Sequence, residues 1–508
     1  MSWRDWFRRK ADPAPKRVGR RSVFAGAQQG RLFDDWVASW MSAADENRWE
    51  LRLLRNRSRE QCRNNPVARR FLGLCDENIL GPKGLQLQAR NILGPGKPDE
   101  ETNQAIENAW GDWGRRGTCT ADGKMSWREF VTAALEAVVR DGEALVELIP
   151  GFPNDYGFAV RLIDVDLLDE DYNRPAHDTL NGHRIVQSVE LDRWGREVAF
   201  WLWTRHPAEM FATTDKRRER IPASRVLHLG RPRRVGQVRY EPWLTPVLAP
   251  MRMLDEYLNA ELVAARAASE TPAFITKSAE SPGPDPDDPL AGQRLMETAK
   301  GTLQELLPGE GLATWPSEHP NAVLPSFVRE VKAEIAQGLC VAYASLTGDM
   351  SQSNYSSSRL ALNGERDRWR IDQQWLGESL CTPVFVSWLR QAVIWQQVRL
   401  PGPVSQYLDH EWEPRGFEYV DPVKDIEADL QEVGAGLNSL TRVCAGRGRD
   451  LRTVLMERKA ELALAEELGV PLQIGAPAAA PTRPEPEEPE EPEEPAESAD
   501  TEEDTADA

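Results

Sequence analysis

The sequence lacks the signatures of most enzymes. Its 508 residues include six cysteines, none of them arranged in a CxxC motif, and six scattered histidines. It contains no P-loop, no HExxH zinc motif, no GxSxG nucleophile elbow and no dinucleotide-binding glycine fingerprint. Unpaired cysteines in small number are typical of a reducing compartment. These absences favour a soluble intracellular protein that is not an enzyme and needs no cofactor or metal.

Long hydrophobic runs are missing as well. No segment approaches the roughly 18 apolar residues that a membrane-spanning helix requires. The basic N-terminus has no apolar stretch behind it of the kind that signal peptides carry. We therefore expect neither a membrane span nor a cleaved secretion signal.

Charge is distributed unevenly along the chain. Residues 1–31 carry a net charge of +7, residues 475–508 carry −12 and the body between them carries −14, for a total of −19. We expect residues 1–31 to form a flexible basic arm and residues 475–508, which contain a Pro-Glu-Glu repeat, to form a disordered acidic tail. An acidic body is not expected to grip DNA along its length, because phosphate binding needs an excess of basic side chains.

Hydrophobic periodicity predicts an α+β fold for the body. Helical spacing is found over residues 51–80, 102–113 and 127–140, the last with Ser126 and Glu129 placed as a capping box. Short apolar or alternating segments then predict an antiparallel β region: 144–149, 158–163, 185–191, 198–203 and 226–229. Long helices follow over 244–269, 328–346 and 359–380, with a polar loop at 347–358 before the third.

A weak metal-site pattern is present in the β region. Asp164 and Asp166 are two residues apart and would share one face of a strand, where they could hold a divalent ion together with His228. A solvated strand end and a buried core histidine are the more frequent outcome of such a pattern. A metal-dependent nucleic-acid-processing enzyme that uses these three residues is therefore the alternative function.

Several short strings occur in a characteristic order from Arg55 to Val470. They are Arg63-Asn-Asn-Pro66, Ala109-Trp110 with Trp113, Asp141-Gly-Glu143, the strand–turn–strand segment from Glu190 to Trp201, Ile221-Pro-Ala223, Arg231-Pro232, Pro242-Trp243, Leu307-Pro-Gly-Glu310, Asn354-Tyr-Ser-Ser357 with Arg359, and Asp421-Pro422 with Lys424 and Asp425. Together they resemble the lambda-type family of tailed-bacteriophage portal proteins. One position departs from the resemblance, because Tyr240 stands where Gly is expected ahead of a long helix.

The resemblance implies a structural protein of the virion, assembled in the host cytoplasm. Portal proteins form a ring, usually a dodecamer, at one vertex of the capsid, and nucleate head assembly. Viral DNA passes through the ring during genome packaging and ejection. The implied partners are further copies of the chain, double-stranded DNA, the terminase, the major capsid or scaffolding protein, and the head-completion proteins of the head–tail connector.

The resemblance also divides the chain into the segments of a portal subunit. The expected segments are a mixed α/β wing (32–242 and, with the long helix, 359–430), two long stem helices (243–271 and 323–346), a small clip insertion (272–322), a tunnel loop (347–358) and a helical crown (431–474).

Two sets of site residues follow from this division. We expect the tunnel loop to contact DNA through neutral polar groups, because each tightly bound phosphate would hinder the passage of DNA. The residues that carry these groups are Ser351, Gln352, Ser353, Asn354 and Tyr355. The same segment could simply cap the third helix. The clip surface that would meet partner proteins carries Asp285, Asp287, Asp288 and Glu310, which could equally be a solvated loop. A third alternative is a monomeric adaptor that binds through its acidic tail.

Overall fold

A computed structural model describes most of the chain between the two termini, and it divides the chain into two compact units, Met1–Arg449 and Asp450–Ala508. The described residues are 39–93, 97–179, 181–209, 217–269, 273–277, 310–314, 323–351, 354–418 and 421–470. The predicted basic arm and acidic tail lie outside these ranges. Among the described residues, no helix combines the length and the hydropathy needed to cross a membrane.

The first unit begins with four helices whose ends are set by local sequence. Helix α1 (Ala43–Asn64) stops where the side chain of Asn65 accepts the N–H groups of Val67 and Ala68 and so caps helix α2 (Pro66–Cys75). A π-helical turn continues α2 to Leu80, and helix α3 spans Glu100–Trp113. Helix α4 (Trp127–Asp141) opens with the Ser126–Glu129 capping box, as its sequence predicts.

The β region consists of small sheets, and the strands that pair within them in the described part of the chain are antiparallel, as predicted. One sheet has the order β10 (Val226–Gly230), β4 (Glu143–Pro150) and β5 (Phe158–Ile163). A four-stranded sheet runs in sequence order through β6 (Arg184–Val186), β7 (Val189–Leu191), β8 (Glu197–Trp203) and β9 (Arg218–Pro222). The remaining pairs are β1 (Gln86–Ala89) with β13 (His410–Glu413), β2 (Ile92–Leu93) with β3 (Lys97–Pro98), and β11 (Ala273–Lys277) with β12 (Glu310–Thr314).

An aromatic cluster holds the helical part of the core together. The ring centroid of Trp110 lies 4.9 Å from that of Trp113 and 5.1 Å from that of Trp388. Trp113 is fully buried, and its indole N–H donates to the carbonyl of Phe158 at 3.0 Å. These contacts pack α3 and the later helix α9 (Thr382–Ile394) against the three-stranded sheet.

The long helices differ from the prediction in one important place. Helix α5 spans Leu248–Ser269, and helix α6 spans Leu324–Gly338. The continuous helix predicted over 328–346 is wrong, because the chain turns at Cys340, whose φ is 58°, before the short helix α7 (Tyr343–Thr347). The Val341 N–H returns to the Ala336 carbonyl, which closes the end of α6.

The third long helix is longer at both ends than predicted. Helix α8 spans Tyr355–Leu376 and continues through a π-helical turn, Gly377–Cys381, into α9. Two further helices, α10 (Pro422–Gly434) and α11 (Leu440–Gly446), follow within the described residues of the first unit. Helix α12 (Leu451–Leu468) belongs to the second unit.

A buried carboxylate joins the helical and β parts of the first unit. Gly142, with φ at 92°, turns the chain from α4 into β4, so that the fully buried Glu143 points into the interior. Its carboxylate accepts from Arg55 at 2.9 Å and from Arg239 at 2.8 Å, and lies 3.0 Å from Nε2 of His228. Three distant segments of the chain therefore converge on one side chain.

Tyr240, the residue that departs from the family pattern, belongs to the same cluster. Its backbone N–H donates to Glu143, and its ring packs so closely on Gly230 that any Cβ there would overlap it. Its backbone is equally close to Gly142. The tyrosine thus occupies space that the two glycines leave open ahead of α5.

The charges in this cluster stabilise one another. Burial alone would raise the pKa of Glu143, but Arg239 and His228 lower it well below its usual range. Burial alone would lower the pKa of His228, but the carboxylates of Glu197 and Glu143 raise it to about 9. The histidine is therefore a charged structural residue at neutral pH.

We predict that Glu143→Gln destabilises the protein strongly. The substitution leaves the buried guanidinium of Arg239 without its salt-bridge carboxylate and removes one of the carboxylate partners of Arg55 and of His228. This should lower the free energy of unfolding by about 3–5 kcal/mol. Asp112→Asn is the matched control, because Asp112 and its salt-bridge partner Arg115 are 53% and 76% exposed. Such a surface salt bridge should contribute less than about 1 kcal/mol to the free energy of unfolding. Urea unfolding measures both, and equal effects would contradict the central role of Glu143.

Candidate functional site

The polar loop lies between two helix ends. Helix α7 ends at Thr347 and is capped by Gly348, which has a φ of 74°, and α8 begins at Tyr355. Of the predicted loop residues, Ser351 and Asn354 are exposed, whereas residues 352 and 353, and therefore Gln352 and Ser353, lie outside the described part of the chain. Tyr355 is the first residue of α8, and its side chain is also outside the description.

The first half of the loop is tied to α6 by charge pairing. Arg329 of α6 lies 3.2 Å from the carboxylate of Asp349 and 3.4 Å from Oγ of Ser351. The hydroxyl of Tyr343 donates to the same carboxylate at 3.2 Å, and the guanidinium lies 5.4 Å from the tyrosine ring. Hydrogen bonds from Ser351, together with Tyr343 and Arg329, lower the pKa of Asp349. The loop therefore offers neutral polar groups rather than an uncompensated cation.

A carboxylate from α8 fixes α7 in place. Glu365 accepts the N–H of Ala342 at 3.0 Å and the hydroxyl of Ser345 at 2.7 Å, and its other oxygen accepts the indole N–H of Trp369 at 3.0 Å. The carboxylate thereby accepts hydrogen bonds at the N-terminus of α7, where backbone N–H groups have no partner within the helix. This contact explains why the predicted continuous helix is interrupted, and no local motif in the sequence identifies Glu365 as the partner.

The predicted capping role of the second half of the loop is confirmed. The side chain of Asn354 accepts the N–H of Ser357 at 2.8 Å, and the Ser357 hydroxyl donates back to the Asn354 carbonyl at 3.1 Å. One turn further along α8, Arg359 forms a salt bridge with Asp425 of α10. Two of the strings that carry the family resemblance are therefore joined in space, although 66 positions separate them.

Of the predicted clip residues, one lies within the described chain. Glu310 begins strand β12 opposite Lys277 of β11, and the two strands pair antiparallel over five residue pairs. Asp285, Asp287 and Asp288 lie outside the described residues. The paired strands bring together the two chain segments that flank the predicted insertion.

The predicted metal set of Asp164, Asp166 and His228 is wrong. Asp164 caps a short 3₁₀ turn, Val165–Leu167, instead of lying on a strand face. Among the described residues the two aspartates group with His206, while both ring nitrogens of His228 are held by carboxylates, those of Glu143 and Glu197. The sequence gives no signal that His206 would be the neighbour.

Arginines already neutralise these aspartates. Arg55 lies 2.9 Å from Asp166, and Arg59 contacts both Asp166 and Asp164, the latter at 3.6 Å. Burial alone would raise the pKa of Asp166, but the two guanidinium groups lower it to about 2. Two guanidinium groups oppose the binding of a divalent cation at this point, so the arrangement fits an ion-pair network.

Comparison with known proteins agrees with the order of the sequence strings. Residues 29–373 match the sequence profile of the phage portal proteins of the lambda family. The chain belongs to the lambda family of phage portal proteins. This family is one of structural proteins, and membership makes the protein a component of the phage particle.

Individual relatives are similar over most of their length. The chain is 29% identical over 474 residues to the probable portal protein of Halomonas phage phiHAP-1, covering 92% of this chain and 91% of the relative. It is 21% identical over 458 residues to portal protein B of Escherichia phage lambda, covering 80% and 82%. A chain from the neck of a native GTA particle is similar at 14% identity with a TM-score of 0.40, covering 77% of this chain and 93% of that one.

We predict that Asn354→Ala frays the start of α8. Loss of the side-chain cap should reduce helix stability by about 1 kcal/mol, whereas Asn354→Asp retains an acceptor and should have little effect. Hydrogen exchange of the Ser357 and Ser358 amides measures the change. Equal protection in both variants would show that the cap contributes nothing.

Proposed function

We propose that the protein forms the portal ring at one capsid vertex and is a passive conduit for double-stranded DNA. Family membership is the observation that carries this proposal. A ring arises when a heterologous interface repeats and closes around an axis. In the ring, α5 and α6 would be the stem, β11 and β12 the base of the clip, and the segment between α7 and α8 the tunnel loop.

The charge pattern supports a conduit rather than a tight DNA clamp. The body between the termini has a net charge of −14, which repels a polyanion, and Arg329, the cation beside the loop, is paired with Asp349. DNA passing such a loop would meet serine, asparagine and glutamine side chains, which form hydrogen bonds without releasing counterions. DNA movement would therefore meet no strong binding site at this point.

The partners follow from the same proposal. The segment around β11 and β12 would face the terminase during packaging and the head-completion proteins afterwards, with Glu310 and the acidic residues Asp285, Asp287 and Asp288 on its surface. The wing would contact the major capsid or scaffolding protein. Hydrolysis of ATP would be supplied by the terminase, because no P-loop occurs in the sequence.

We predict that the combined substitution Gln352→Ala and Tyr355→Ala leaves ring formation intact but impairs DNA packaging or retention. The substitutions remove polar groups at the loop and leave the charge pairing of Asp349 untouched. The measurement is the amount of full-length DNA per particle, after a phage that lacks its own portal gene has been complemented with the variant. Gln104→Ala, an exposed change on α3, is the control. Normal packaging by the double variant would contradict a required role for these two side chains.

A further inference from the structure

Three arginines gather around one phenylalanine on the surface of the first unit. Arg366 and Arg370 lie one turn apart on α8, and Arg415 follows β13; their guanidinium groups are 5.5, 5.5 and 5.7 Å from the ring centroid of Phe417. Cation–π contact accounts for part of this arrangement. Cation–π contact does not explain why three like charges gather at one ring, because a single arginine would make the same contact without repulsion from two others.

The positive charge of this cluster is only partly compensated. Arg370 pairs with Asp367 at 2.6 Å, and Arg415 donates to the backbone carbonyl of Glu77 and to the Asn78 side chain. No carboxylate among the described residues lies within salt-bridge distance of Arg366. Burial, and then repulsion from Arg370 and Arg415, lower the pKa of Arg366, so the fold holds this cation at an energetic cost.

The nearest acids are committed to other partners. Glu365 holds the N-terminus of α7 and the Trp369 indole, as described above. Asp425 forms a salt bridge with Arg359 and also accepts the N–H of Asp421. Neither carboxylate lies within salt-bridge distance of Arg366, and their longer-range attraction only partly offsets the effects of burial and of repulsion from Arg370 and Arg415.

A groove of about 990 Å³ extends this positive surface. Arg415 and Phe417 line it, and the Arg447-Gly448-Arg449 segment lies directly against Gly416, where a Cβ would overlap the Arg447 backbone. The other cations that line the groove are Lys83 and Arg128. The exposed Lys83 and Arg449 have no acidic partner within salt-bridge distance in the described part of the chain.

The acids of the groove leave a positive excess. Asp76 is paired with Arg128 at 3.0 Å, Glu77 with Arg70 at 2.9 Å, and Glu413 accepts from Gln88 at 2.7 Å. The exposed Glu418 is the fourth acid along the groove. Glu413 keeps its negative charge, because a hydrogen bond from an amide does not neutralise a carboxylate. Against Glu413 and Glu418 stand the groove residues Arg415, Lys83 and Arg449 and the neighbouring Arg366, none of them within salt-bridge distance of a carboxylate of the described chain.

We propose that the groove cations Arg415, Arg449 and Lys83, together with Arg366 and Arg370 beside Phe417, form an arginine groove that binds the phosphodiester backbone of double-stranded DNA at a site separate from the loop before α8. The inference rests on the proposed role as a DNA conduit. Guanidinium groups match the geometry of phosphate oxygens, and cations spaced along a groove suit a regular polyanion. Phe417 is the single aromatic residue among those that line the groove, so it lacks the row of rings on which single-stranded bases stack.

The test compares charge-removing variants of the full chain. Arg366→Gln and Arg449→Gln together remove two cations that form no salt bridge within the described part of the chain, whereas Arg57→Gln removes an exposed arginine of α1 as the control. The affinity for a short fluorescent DNA duplex is measured by anisotropy over a series of salt concentrations. The double variant should bind more weakly and reduce the slope of log K against log salt by about two, because each phosphate contact contributes about one. The control should match the wild type.

Each alternative result has a definite meaning. An unchanged slope and affinity in the double variant would overturn the proposal, even if the wild type binds DNA elsewhere. Binding of a polyglutamate peptide in place of the duplex would overturn it in favour of an acidic protein partner. Rings that form without binding the duplex would refute the groove and leave the portal proposal standing.

Discussion

The buried carboxylate of Glu143 is the constraint on which the first unit depends. Charged partners from α1, from β10 and from the segment ahead of α5 meet at its two oxygens, which lie 2.9 Å from Arg55, 3.0 Å from His228 and 2.8 Å from Arg239. A buried charge tolerates the loss of a partner poorly, so these segments are held in one relative position. The direction in which the long helix α5 leaves the β region is therefore set by an ionic cluster rather than by apolar packing alone.

Local features of this architecture could be predicted from the sequence, whereas distant contacts could not. The Ser126–Glu129 capping box and the strands predicted over 144–149, 158–163, 198–203 and 226–229 appear where short-range patterns place them, whereas the predicted segment 185–191 is a hairpin of two strands. The break between α6 and α7 was not predicted, because Glu365 caps Ala342 from 23 positions away. The partners of His228 were missed for the same reason, since Glu143 lies 85 positions away. Periodicity describes a helix face but does not identify the side chain that will end the helix.

The same limit applies to the candidate site. The polar composition of the loop and the capping role of Asn354 follow directly from residues in sequence order. The salt bridge between Arg329 and Asp349 neutralises the charges of these two side chains beside the loop. It forms only because α6 packs beside the loop. The arginine groove is likewise invisible in sequence, because Arg366, Arg415 and Arg449 come from separate segments. We propose that this acidic chain binds DNA at the arginine groove and passes it along the loop without strong phosphate contacts.

The proposal that identical subunits close into a ring is tested most directly by native mass spectrometry of the purified full-length protein, with negative-stain images of the same sample. The account predicts a single large homo-oligomer that appears as a closed ring with a central hole, because a repeated heterologous interface that closes leaves no free ends. A stable monomer or dimer over a range of salt and protein concentrations would contradict it.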